Sequence, residues 1–244
     1  MPPPPTGRSP CAAAPCPSAG DLLQALQRCA EPHKQILELH KINQCIANQT
    51  SHKQAKLIAA QIANHDCTWN ILNDLLVQAS PLVHIAMQSA LTLTTLSPQY
   101  AQHKLITSHT LPVIIAVTRA NDKIVRLQGL LILEIMAKQE ATHLCNAGVT
   151  QLLSHLASVQ DCNIWHLILT IINSLLAHPQ QLKSEDKKQL CEALLKCPLR
   201  RADGNAGNLS DRCSEKLLSR SDTVLLTGML ALLNQFKFSR DQYI

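Results

Sequence analysis

Four long apolar runs in this chain align with one another: PLVHIAMQSALTLTTLS from Pro81, DKIVRLQGLLILEIMAK from Asp122, DCNIWHLILTIINSLLA from Asp161 and SDTVLLTGMLALLNQFK from Ser221. In each, apolar residues recur at three- and four-residue steps, the period of a helix. Anchored on Val83, Val125, Ile164 and Val224, the runs are spaced by 42, 39 and 60 residues. The first two spacings fall within the period of helical solenoids, where each repeat leaves an apolar face that only its neighbour can cover. The third is longer by about 20 residues, and the polar segment 199–219, LRRADGNAGNLSDRCSEKLLS, reads as an insertion of that size.

Local signals agree with a chain of short helices. Pro32 and Pro81 read as first-turn prolines, Ser80 and Ser97 as N-caps, and Ser51-His-Lys-Gln54 has the form of a capping box. Asn121-Asp122 and Asp161 precede apolar runs as N-caps should. No stretch sustains the two-residue alternation of a half-buried strand. Aromatic residues make up only 2% of the chain, so the packing is aliphatic and an all-β fold is disfavoured. These signals predict helices over 21–30, 32–48, 52–64, 68–79, 81–96, 98–107, 111–119, 122–138, 140–146, 149–158, 161–177, 184–196, 212–219 and 221–237. The fold class is all-α. Residues 1–18 carry seven of the 13 prolines and almost no large apolar side chain, the composition of a disordered tail. The ordered domain is expected over 19–240.

Charge and motifs exclude several functions. The net charge of +5 is mild, and the densest basic stretch, Lys183 to Arg220, mixes nine Lys/Arg with six Asp/Glu. A nucleic-acid site would cluster its positive charge. The N-terminus lacks the apolar core of a secretory signal, and the longest nearly apolar run, 164–177, is 14 residues, short of the ~20 that span a bilayer. An intracellular, soluble protein of the cytoplasm or nucleus is therefore expected, with its ten Cys as thiols. No Cys-x-x-Cys, phosphate-binding loop, nucleophile elbow or His-Glu-x-x-His occurs, and the eleven His are scattered. Neither an enzyme nor a resident metal or cofactor is expected.

The stretch from Asn121 to Ser158, NDKIVRLQGLLILEIMAKQEATHLCNAGVTQLLSHLAS, resembles an armadillo repeat, with HEAT repeats as the alternative. It has a capped long third helix, then a short first helix, then Ala147-Gly148-Val149 at the turn into a second helix. Gly129 and Gly228 fall where small residues let third helices crowd together. The resemblance implies a short right-handed α-solenoid of about three to four repeats. It also implies partner binding along a concave face lined by third helices. Taking the groove positions at six and ten residues past each anchor gives Ser89 with Leu93, Leu131 with Ile135, Thr170 with Ser174, and Leu230 with Asn234. Arg126 is expected at the groove edge. Only Asn234 fits the Trp and Asn ladder of the family's nuclear-signal carriers, so a carrier of basic signals is not expected. The function that follows is a non-enzymatic adaptor or scaffold whose partner is a protein segment, extended or helical, with no small-molecule substrate and no membrane. The alternatives are a structural subunit that docks by its ends and an RNA-binding helical repeat.

Overall fold

The computed structural model describes residues 17–78, 82–120, 122–159, 161–177 and 182–196. Twelve helices occupy them: α1 (Ala19–Arg28), α2 (Pro32–Ala47), α3 (His52–Ala63), α4 (Asp66–Leu76), α5 (Leu82–Leu96), α6 (Pro98–Thr107), α7 (Thr110–Thr118), α8 (Lys123–Ala137), α9 (Ala141–Asn146), α10 (Val149–Leu156), α11 (Cys162–Leu176) and α12 (Ser184–Lys196). The described residues contain no strand. Residues 1–16 of the expected tail, the 199–219 insertion, the Ser80-Pro81 cap and the helices over 212–219 and 221–237 lie outside the described residues, whereas Ser18, the last residue of that tail, is ordered as the N-cap of α1.

The helices group in threes. α3–α5, α6–α8 and α9–α11 are three repeats of a first, a second and a long third helix, preceded by α1 and α2. Third helices stack on third helices, in the order α2, α5, α8, α11. The second helices α4 and α7 pack on each other, as do the first helices α3 and α6, and α12 packs on α10. One apolar core therefore runs the length of the stack, from Leu22 and Leu26 on α1 to Leu190 and Ala193 on α12. Each layer buries its neighbour's apolar face, the arrangement in which no repeat is stable alone.

The helix ends show how the sequence punctuates this stack. Ser18 and Asp21 form a capping box at α1, the Ser18 hydroxyl accepting from the Asp21 amide at 3.2 Å and the Asp21 carboxylate accepting from the Ser18 amide at 3.2 Å. Pro32 and Pro98 open α2 and α6 as first-turn prolines. Asp122 and Asp161 cap α8 and α11. Ser51 precedes α3 but its side chain caps nothing, so Ser51-His-Lys-Gln54 is no capping box. Ser97 likewise turns away, its hydroxyl donating back to the Leu93 carbonyl at 2.8 Å and closing the end of α5 instead of the start of α6.

The turn from first to second helix needs a left-handed residue in two repeats. Gly148 takes it before α10 with φ 90°, and His109 takes it before α7 with φ 56°. An L-residue there costs roughly 1–2 kcal/mol, while Gly pays a smaller entropic penalty. His109→Gly is expected to stabilise the fold by about 0.5–1 kcal/mol, seen as a higher urea midpoint at unchanged slope.

Candidate functional site

α5, α8 and α11 lie side by side, and α4, α7 and α10 cover their inner sides. That leaves one open stripe on each. On α5 it contains Gln88, Thr92 and Thr95; on α8, Leu127, Gln128, Leu131 and Ile135; on α11, His166, Thr170 and Ser174. Leu131, at 36% exposure, and the half-buried Ile135 lie one turn apart on the middle helix of the three.

Of the expected groove residues, the structure brings Leu131, Ile135, Thr170 and Ser174 onto this one face. Ser89 and Leu93 are not on it. Each is 1% exposed and belongs to the core. The Ser89 hydroxyl donates to the Ile85 carbonyl at 2.8 Å and accepts from the Asn43 side chain at 2.9 Å, bonding α5 to α2. Matching the buried and open positions of α5 to those of α8 pairs Gln88 with Leu131 and Thr92 with Ile135. The two helices are thus one residue further apart than the 42 that the apolar anchors give. The cause is Arg126, which occupies the buried position that Val83 holds in α5, so a match on apolar residues slides to Val125. Gln88 and Thr92 were hidden by that slip. Leu230 and Asn234 lie outside the described residues.

Arg126 is not at a groove edge. Its side chain is buried, at 8% exposure, and Nη2 donates to the Ala120 carbonyl at 2.8 Å, just past the end of α7. Carbonyls at a helix C-terminus lack intrahelical partners and carry partial negative charge, which a guanidinium satisfies. Arg126 therefore pins the α7–α8 turn. Gly129 is indeed crowded, but by the second helix as much as a third: a Cβ there would overlap the Thr118 side chain of α7 and approach Met87 Cε of α5 at 3.0 Å. Gly228 lies outside the described residues. Trp165 is half-buried at the start of α11, with its indole N–H unpartnered.

Full charges are nearly missing from this face. α5 and α11 contain none, and α8 contains Lys123, Arg126 and Glu134. Lys123 pairs with Asp161 at 2.7 Å and Glu134 with Lys138 at 3.1 Å, while Arg126 is buried. The N-cap carboxylates each join two repeats: Asp122 also meets His84 Nε2 of α5 at 2.7 Å, and Asp161 meets Lys123 of α8.

Both cap carboxyls are held below their ordinary value of 3.8, Asp122 first by the Val125 amide and then by His84, Asp161 first by Lys123 and then by amides of its own helix. A carboxyl whose folded pKa is depressed adds stability that is complete above its unfolded pKa, roughly 3.9, and is lost as pH falls through the folded value. Urea midpoints are expected to fall as pH drops below about 4. The variant Asp122→Asn with Asp161→Asn, which keeps two capping side chains, should show a shallower acid limb.

Cys29, Cys45, Cys67 and Cys145 form no disulfide, and burial pushes the Cys145 thiol up to about 12, away from nucleophilic thiolate. Among the described residues no group of His, Cys, Asp and Glu is placed to hold a metal ion, and no helix is long and apolar enough to cross a membrane.

No protein-family model matches this sequence, and no curated protein matches it. Solved structures do match the fold. An engineered protein shares it at TM-score 0.60 and 15% identity, over 88% of this chain and 84% of its own. Computationally designed armadillo repeat proteins for modular peptide recognition match at TM-score 0.51 and 18% identity, over 86% of this chain and 91% of theirs. A designed armadillo repeat protein in complex with the peptide (KR)4 matches at TM-score 0.53 and 16% identity, over 85% of this chain and 98% of its own. With its repeated three-helix layers and stacked third helices, the chain folds as an armadillo-like all-α solenoid.

Proposed function

We propose that this chain is a non-enzymatic interaction scaffold that binds a segment of a partner protein on the open face of α5, α8 and α11. The observation that carries this reading is the middle of that face, where Leu131 stays open on α8 and the half-buried Leu127 and Ile135 flank it one turn to either side. Aliphatic side chains held open on a rigid stack are ready to be covered by a partner without ordering cost in the scaffold. Designed armadillo repeats, one of them in complex with a peptide, supply a precedent for the same use of the fold. The domain carrying this face spans 19–240, with a Pro-rich tail over 1–18 and a polar insertion at 199–219 as a second contact, and the thiol state of Cys29, Cys45, Cys67 and Cys145 suits the cytoplasm or nucleus.

The test is quantitative affinity purification of wild type against Leu131→Glu with Thr170→Glu, with circular dichroism confirming that the variant is folded. Partner recovery is expected to fall by about tenfold or more, as when a central contact of an interface is removed. Full recovery on the folded variant would sink the reading. A second reading, docking by the solenoid's end, is favoured by Leu37 on α2 and Leu57 on α3, each 60% exposed near the start of the stack. Leu37→Glu with Leu57→Glu would then lose the partners that the first variant keeps.

A further inference from the structure

We propose that residues 221–237 of this chain lie along the far side of α11 as a further third helix, with Gly228 receiving Leu169 as Gly129 receives Met87. This does not depend on the binding reading above; it names what covers the end of the described stack.

The first observation is a side of α11 that is buried with no described third helix beyond it. α5 meets α8 through His84, which pairs with Asp122, and through Met87, whose Cε lies 3.0 Å from where a Cβ at Gly129 would stand. By the register of buried and open positions, Met87 corresponds to Leu130 of α8, and Leu130 to Leu169 of α11. Met87 and Leu130 are fully buried, and α5 and α8 are each followed by another third helix. α11 is the last described third helix, and α8 lies on its other side. Yet Leu169 is only 5% exposed, and Leu176, two turns along the same side, only 7%. An apolar side left to water would show open leucines, as Leu37 and Leu57 do near the start of the stack.

The second observation is the sequence that follows. In SDTVLLTGMLALLNQFK, Ser221 stands three residues before Val224 and Gly228 four after it. Asp122 and Gly129 stand at the same offsets from Val125. Asp122 caps α8, and the missing side chain of Gly129 is what admits Met87. Ser is likewise a capping type, and Gly228 offers the same vacancy to a leucine at the position of Leu169.

The third is charge and reach. Asp222 and Lys237 are the only charged residues of the run, and the uncharged stretch between them needs cover on most of its surface. As a helix, 221–237 extends ~25 Å, enough to follow the 15 residues of α11 along its ~22 Å. α12 packs on α10 and ends at Lys196, which leaves 197–220 to make the connection. Extended, that stretch reaches roughly 80 Å, so the segment can arrive from the same chain. α11 is then an interior helix of the stack, and its far side is not open to a partner or a second copy.

The experiment cuts the connection in the folded full chain. A recognition sequence for a site-specific protease is inserted after Gly207, the chain is cleaved, and gel filtration in native buffer reports whether the C-terminal fragment stays. It is expected to stay in equal amount, at the mass of one chain, and to leave only in denaturant. Gly228→Leu should release it about tenfold more readily, as overpacking does. Adding Leu169→Ala should recover most of that loss, because the two side chains compete for one space. Circular dichroism of the uncut variants checks that they are folded. A wild-type fragment that leaves on cleavage would overturn the proposal, as would an assembly with the mass of two chains, in which a second copy supplies the cover. Retention indifferent to Gly228→Leu, or a loss that Leu169→Ala does not lessen, would overturn the seat of Gly228 opposite Leu169.

Discussion

Trp69→Ala lowers the stability of the solenoid by about 4 kcal/mol, within the range for emptying a large aromatic site in a core. Trp69 is fully buried on α4, and its indole Nε1 donates to the Ala63 carbonyl at 2.8 Å. Beside it, the Thr68 hydroxyl donates to the Ile62 carbonyl at 3.0 Å. Both carbonyls belong to the last turn of α3, where backbone acceptors have no partner within the helix. The first turn of α4 thus closes the end of α3 while filling the core beneath it. Trp69→Phe separates the two roles. It keeps most of the volume, drops the donor and should cost about 1–2 kcal/mol, the expected penalty for a buried carbonyl left unpaired. Urea denaturation followed by circular dichroism measures both. A loss for Trp69→Ala below about 1 kcal/mol would show that Trp69 is not in the core.

Gly129→Ala costs about 3 kcal/mol, although Ala improves a helix interior by about 1 kcal/mol over Gly. The sign is decided by the space beside α8. A Cβ at 129 would overlap Thr118 Oγ1 and lie 2.9 Å from Thr118 Cβ. Thr118 cannot swing away freely, because it is fully buried and its hydroxyl donates to the Ile114 carbonyl at 2.6 Å. Met87 Cε, at 3.0 Å, is the end of a flexible side chain and can yield. Relief must therefore come from moving α7 relative to α8, which strains the second-to-third helix contact of the middle repeat. Adding Thr118→Ala removes the hydroxyl overlap and should recover part of the loss, so the two substitutions are non-additive in the same denaturation assay. Equal stability of Gly129→Ala and wild type would contradict this packing.

Much of the fold was legible because its signals are local. Asp122 and Asp161 stand just before apolar runs, and both cap the helices that follow. Pro32 and Pro98 open helices where first-turn prolines belong, and Gly148 marks a turn that needs a left-handed residue. The periodicity of 123–137 and 162–176 could only be that of helices with a wide buried face. Local signals also misled where two uses of one residue compete. Ser51 and Ser97 have the right type for N-caps, yet neither side chain caps a helix. A hydroxyl can turn back to the preceding helix at similar energy, as Ser97 does.

The candidate face was less legible. Leu131, Ile135, Thr170 and Ser174 could be placed on it because a repeat period carries position from one third helix to the next. Ser89 and Leu93 were misplaced by one residue, which on a helix is a turn of about 100°, enough to carry a side chain from groove to core. Hydropathy could not prevent the slip, because the buried position in α8 is held by Arg126, whose charge is accommodated by a carbonyl at the end of α7.

The sequence by itself determined an all-α chain of capped helices repeating at about forty residues, since helix period, caps and turn residues are properties of neighbours along the chain. Only the tertiary structure decided the register between α5 and α8, the inward turn of Arg126, the close approach of Thr118 to Gly129 and the open stripe across three helices. Each of these depends on which side chains from distant segments share one volume, and packing at interior density settles that to within a fraction of a side chain.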